Sequence, residues 1–198
     1  MNYLAHAYLS FKDPEVLVGN MIGDHVKGRL QYLFPERVQA GIRLHRAIDE
    51  FTDHHPNTKA MMTLFRPDYR LYAGAFVDIV FDYFLANDRN EFESEASLHL
   101  FTQHTYETLR LRQSLFPQRF NGMFSHMVSH NWLYHYQFDE GVQKAFGGLV
   151  RRAAYLEESD RAFEIFLNNK SFLEDHYLEF FISVKKFAAH NMQQLLKG

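Results

Sequence analysis

The chain has 198 residues, of which 46% are hydrophobic and 23% charged, with a net charge of −3 and no cysteine. That length can close one substantial core, the apolar content excludes intrinsic disorder, and the missing thiols exclude a disulfide-stapled minidomain. A pI of about 6.4 speaks against a general nucleic-acid binder, which carries a basic excess.

Aromatic usage is lopsided: 20 Phe and 11 Tyr stand against one Trp, which predicts a core of large packed rings. No basic residue precedes Lys12 and no small-residue cleavage site follows an apolar run, so no signal peptide is expected. The most apolar stretch, 73–85, is shorter than a bilayer span and contains two aspartates. The expectation is a cytoplasmic protein that binds neither membrane nor nucleic acid.

Helix signals recur along the chain. Asp13-Pro14 reads as an N-cap followed by proline at the first helical position, opening a helix that should end near Gly28. Pro35 opens the next, and Pro56 closes it by forcing its predecessor out of the helical region. Within it Val38, Ile42, His45, Asp49 and Thr52 fall on one stripe. A short helix is predicted over 58–65, and a nearly all-apolar, central one over 71–87. Further helices are expected at 92–115, 118–136, 139–156 and 160–196, the last broken near Asn168-Asn169. No fixed-period repeat, low-complexity run or linker interrupts them. The prediction is an all-α, single-domain bundle of about seven to eight helices.

Polar residues that break the apolar pattern carry the chemistry. Asp78 and Asp82 lie one turn apart on the apolar helix, so both carboxylates point to one side of it. A buried carboxylate must be paired, protonated or metal-bound, and burial looks deepest at Asp78. The competing structural reading is a core salt bridge or a cap on a neighbouring helix. His45 and Asp49 share a spacing of four. They can converge on one ion, or the aspartate can fix the imidazole tautomer, or the pair can simply lock two helices. In GNMIGDHVKG, Asp24 lies between Gly23 and His25, four residues before Gly28, with Lys27 and Arg29 near enough to hold a phosphate. His6 sits in the apolar opening segment NYLAHAYLS, where a lone histidine is more often a satisfied core residue than a ligand. Several aspartates and two histidines without thiolates suit Mn²⁺ or Mg²⁺ better than structural zinc.

Taken in order, NYLAHAYLS, GNMIGDHVKG, GIRLHRAIDEFTDHHP, the Asp78–Asp82 helix and MVSHNWLYHYQ resemble the acyl carrier protein phosphodiesterase family over nearly all of the chain. That resemblance implies a fold and metal chemistry similar to the HD-type metal-dependent phosphohydrolases. It implies hydrolysis of the phosphodiester between 4′-phosphopantetheine and a serine of acyl carrier protein, with Mn²⁺ preferred. Carried over, His6, Asp24 and Asp78 match positions expected to hold metal, with His45 and Asp49 as further ligands or supporting groups. Gly23, not histidine, precedes Asp24, a departure from the adjacent His-Asp pair of the HD pattern.

On this reading a metal-activated water attacks phosphorus. Lys27 or Arg46 offsets charge on the equatorial oxygens, and Asp49 or Asp82 takes the proton. Lys27, Arg29, Arg43, Arg46, Arg66 and Arg70 offer a basic surface for an acidic carrier. Two rival functions are the same chemistry on a small phosphoester or nucleotide, and a non-catalytic module that binds carrier protein.

Overall fold

Residues 1–197 are described by the computed structural model. Among them there is no strand, and eleven α-helices follow one another. They are α1 (Tyr3–Tyr8), α2 (Pro14–Ile22), α3 (Glu36–His54), α4 (Pro56–Tyr69), α5 (Ala73–Asn87) and α6 (Glu95–Arg110). The rest are α7 (Gln118–Ser129), α8 (Trp132–His135), α9 (Asp139–Arg152), α10 (Asp160–Asn168) and α11 (Lys170–Leu195). The all-α expectation is met. The count exceeds seven to eight because several predicted helices are cut or preceded by short ones.

The cuts have local causes. The helix predicted from Asp13 stops at Ile22, and two tight 3₁₀ turns, Gly23–His25 and Gly28–Leu33, carry the chain to Pro35. Gly28 sits between them at φ +54°, which a side chain would resist. Asn131 takes φ +46° and divides the predicted 118–136 helix into α7 and α8. In the other direction, α4 runs well past the predicted 58–65, from Pro56 at its first turn to Tyr69. His55 accepts from Asn57 N at 3.2 Å and starts that helix in place of a Ser or Asp.

Packing follows the aromatic excess. On α5, Phe76 meets Phe65 at 5.8 Å and Phe146 at 5.0 Å between ring centres, while Phe81 stacks on Phe180 at 4.3 Å. The long α11 closes over α3 through Phe187 stacked on Phe51 at 4.5 Å. These rings join one contiguous apolar core.

Two helices touch backbone to backbone, and that contact places the site. A Cβ on Gly19 would lie 2.0 Å from Val38 O, and one on Gly41 would lie 2.3 Å from Val16 O. α2 and α3 therefore cross with no side chain between them, and the end of α2 lies directly under the middle of α3.

Candidate active site

Three side chains converge where α1, α2 and α3 meet. One ligand atom each from His6, His45 and Asp49 lies within 4.8 Å of the others. His6 Nε2 is 3.1 Å from Asp49 Oδ1, and His45 Nε2 is 3.1 Å from Asp49 Oδ2. The two imidazoles stack at 4.1 Å. Asp24 Oδ1 completes one side, 3.2 Å from His45 Nε2.

Asn20, fully buried on α2, fixes both rings. Its amide Nδ2 donates to His6 O at 2.8 Å and to Ser10 Oγ at 3.1 Å, so its Oδ1 is the atom facing His6 Nδ1, 2.8 Å away. His6 Nδ1–H therefore donates to Asn20 Oδ1. His45 Nδ1–H donates to the Asn20 main-chain oxygen at 2.8 Å. Both Nε2 atoms are thereby turned toward the carboxylates. The sequence motif GNMIGDHVKG contains Asn20, yet no role was assigned to it; an asparagine inside the apolar run VLVGNMI was the available signal.

Gly23 explains the departure from the adjacent His-Asp pattern. A Cβ there would sit 2.3 Å from Cγ of His45, so the imidazole of α3 occupies the space a histidine side chain at 23 would need.

The two aspartates of α5 separate in role. Asp82 is 0% exposed and accepts from Leu4 N at 2.8 Å and Ala5 N at 3.0 Å, so it caps α1, whose own N-cap Asn2 makes no side-chain capping bond. Both its oxygens are engaged by backbone N–H groups and it is not among the cleft's lining residues, whereas Asp49, the other expected proton acceptor, is. The expected order of burial is also reversed: the Asp78 side chain is 30% exposed. Asp78 Oδ1 lies 3.1 Å from the Met1 ammonium, which is also 3.1 Å from Asp49 Oδ1.

Charge in the cluster is strongly coupled. Burial opposes ionisation of Asp49, but the Met1 ammonium and both imidazoles outweigh it and hold its carboxyl well below the usual range. Burial and the neighbouring His45 ring push His6 down. Burial also works against a charged His45, yet its bonds to Asp24 and Asp49 prevail and raise it to about 9. A hydrogen bond from His45 holds Asp24 low despite its own partial desolvation.

Above the cluster opens a cleft of about 420 Å³ lined by Asp24, Lys27, His45, Arg46 and Asp49. Of the six cations expected to meet an acidic partner, Lys27 and Arg46 line it. Arg46 is also a strut: it donates to Val26 O at 2.8 Å and to Gln31 Oε1 at 2.9 Å, tying α3 to the loop that carries Lys27.

Fold and site together define an all-α protein with an open cleft, lined by two cations and two carboxylates, over a histidine–aspartate cluster. The chain belongs to the acyl carrier protein phosphodiesterase family, whose pattern it matches over residues 1–184. It is 30% identical over 190 residues to an acyl carrier protein phosphodiesterase of Yersinia pestis, covering 96% of this chain and 98% of that one. An Escherichia coli protein of the same description is 31% identical over 157 residues, 79% of this chain and 81% of its own. One from Photorhabdus laumondii is 28% identical over 194 residues, 98% and 94% respectively. No solved structure matches the chain.

Proposed function

We propose that this protein hydrolyses the phosphodiester joining 4′-phosphopantetheine to a serine of acyl carrier protein, and that it does so with Mn²⁺, or Mg²⁺ in its place. The curated relatives' description supports the carrier protein as substrate.

The observation that carries the metal is the donor set. With both Nδ1–H groups committed to Asn20, each Nε2 faces carboxylate oxygen at 3.1–3.2 Å. Unprotonated, these contacts set lone pair against anion. Protonating both rings instead sets two cations 4.1 Å apart, and charging His45 alone, the ring that its carboxylates push up, still leaves the His6 lone pair facing Asp49 Oδ1 at 3.1 Å. One divalent cation relieves both conflicts, and imidazole nitrogen with carboxylate oxygen is the ligand mixture that Mn²⁺ accepts. The Met1 ammonium held between Asp49 and Asp78 is a stand-in for positive charge at the same edge. His6, His45 and Asp49 would hold the ion, with Asp24 and Asp78 bordering them.

A divalent ion held by His6, His45 and Asp49 would supply Lewis acidity, lowering the pKa of a nearby water toward neutrality and adding positive charge beside the phosphoryl group. The chain's own residues set the rest. Lys27 and Arg46 on the cleft wall bind the non-bridging phosphodiester oxygens and offset charge as it grows there. Asp24, 71% exposed and ionised near neutrality, takes the proton from the attacking water at a carboxylate oxygen. The water oxygen bonds to phosphorus, the bond from phosphorus to the serine oxygen breaks, and the serine oxygen recovers a proton.

Incubating the protein with holo acyl carrier protein and Mn²⁺, read by intact mass, tests this. The expected result is loss of the phosphopantetheine mass, suppressed by a chelator and restored by Mn²⁺. Intact carrier after prolonged incubation with Mn²⁺, or equal turnover of small phosphodiesters, overturns the reading.

A further inference from the structure

A second cavity, about 860 Å³, shares no lining residue with the cleft. It is bounded by α1 and its following turn, α2, α6 and part of α11. Its apolar wall is continuous: Tyr8, Phe92 and Phe101 pack on one another at 5.3–5.9 Å, joined by Ala7, Phe11 and Leu17.

The polar groups in that wall are satisfied internally. Thr105 Oγ1 donates to Phe101 O at 2.8 Å, and Ser10 Oγ donates to His6 O at 2.8 Å. Glu91 accepts from both Tyr8 Oη and Lys185 Nζ. The body of the cavity therefore offers a ligand mainly apolar contact, with His104 and Thr108 the lining side chains still free to hydrogen-bond among the described residues.

The rim is different. Lys12 and Arg112 also line the cavity, and among the described residues neither has a carboxylate partner. Lys12 is placed there at a conformational cost: Phe11 and Lys12 are consecutive non-glycine residues at φ +49° and +64°. Such backbone persists where surrounding structure enforces it, and it gathers at ligand sites. The turn puts an aromatic ring into the wall and an ammonium at the rim in two successive residues.

We propose that this cavity binds a single aliphatic chain with an anionic head, a free carboxylate of the fatty-acid class. Its chain lies against Phe11, Phe92 and Phe101, and its carboxylate lies at the rim beside Lys12 and Arg112. The size is that of a small-molecule site, and a flexible chain fills an aromatic-walled cavity whose lining is mostly apolar. Two unpaired cations at the rim select the sign of the head. The inference stands apart from the phosphodiesterase reading, because the two sites have no lining residue in common.

Titration calorimetry of the full chain with dodecanoate, kept below its micelle concentration, is the test. One saturable site is expected. Each methylene removed should weaken binding about fourfold, so decanoate should bind roughly 16-fold more weakly. Dodecyltrimethylammonium, with the same tail and a cationic head, should bind at least about tenfold more weakly than dodecanoate. The Lys12→Glu/Arg112→Glu variant, changed only at the rim, should lose about tenfold or more for dodecanoate with unchanged helical content. Thr108→Trp, which fills the cavity from a buried position, should abolish binding while helical content stays near wild type. Absence of saturable binding overturns the proposal, as does indifference to tail length, equal affinity for both heads, or full binding by the rim variant.

Discussion

Helix α5 serves two regions built on opposite terms. Toward α4, α9 and α11 it presents Phe76, Phe81 and Phe84, which lie in rings and make no demand for specific polar partners. Toward α1 and α3 it presents Asp78 and Asp82, and there each carboxylate has an assigned neighbour up to 78 residues away in sequence. The aromatic side gains stability from burial and tolerates imprecision. The polar side places charges against one another and is stabilised only when every partner is present. Stability and chemistry are thus separated across one helix.

The widest split between the two regions should appear in turnover. Asp49→Ala removes the carboxylate that touches both imidazoles, and holo-carrier hydrolysis should fall by about 10⁴-fold or more, ~5.5 kcal/mol of transition-state stabilisation. Helical content should stay near wild type. Turnover within tenfold of wild type would dissolve the contrast between the regions.

Phe76→Ala tests the opposite side. The ring is fully buried between Phe65 and Phe146, so its loss should cost about 3–5 kcal/mol in urea unfolding. Mn²⁺ affinity of the folded fraction should not move. A parallel loss of metal binding would show that the aromatic side also positions the cluster.

Asn20→Ala should have a smaller effect. It removes the acceptor of His6 Nδ1–H and leaves all proposed ligands in place. Mn²⁺ affinity should fall by about 10- to 100-fold, with activity recovering as Mn²⁺ is raised. Lost activity that no Mn²⁺ concentration restores would assign Asn20 to folding alone.

How much of this was legible depended on how local the cause was. Pro35 and Pro56 bracket α3, and Asn169 divides α10 from α11, because such breaks act through the residue itself. The His45–Asp49 spacing was equally readable, being set by helical pitch. Asn131 in the left-handed region and the extension of α4 to Tyr69 depend on packing that a single sequence does not display. At the site, spacing placed Asp78 and Asp82 on one side of α5 but could not divide their roles. That division is made by α1 docking its first turn onto Asp82, a contact 77–78 residues away in sequence. Asn20 escaped for the same reason, since its two imidazole partners come from helices on either side of it.

Asp82→Asn yields the smallest effect at acid pH, and pH brings out the rest. Burial pushes the Asp82 carboxyl up, and the N–H groups of Leu4 and Ala5 with the Met1 ammonium pull it partly back, leaving it at about 7 against 3.8 unfolded. Asp78 and Tyr136 are the other titratable groups coupled to it. Between those two values the folded chain keeps a proton that the unfolded chain has released. Stability from this group must therefore fall as pH rises from about 4 to about 7 and level off beyond. Asp82→Asn keeps a neutral side-chain oxygen for the α1 cap and removes the titration. The variant should lie within about 1 kcal/mol of wild type near pH 4.5, the scale of a modified helix cap. It should then gain on wild type as pH approaches 7.5. Urea unfolding at several pH values measures the difference between the two directly. If wild type instead gains on the variant with rising pH, the ionised carboxylate is the better cap, and the two N–H bonds outweigh the burial that sets Asp82 apart from Asp78.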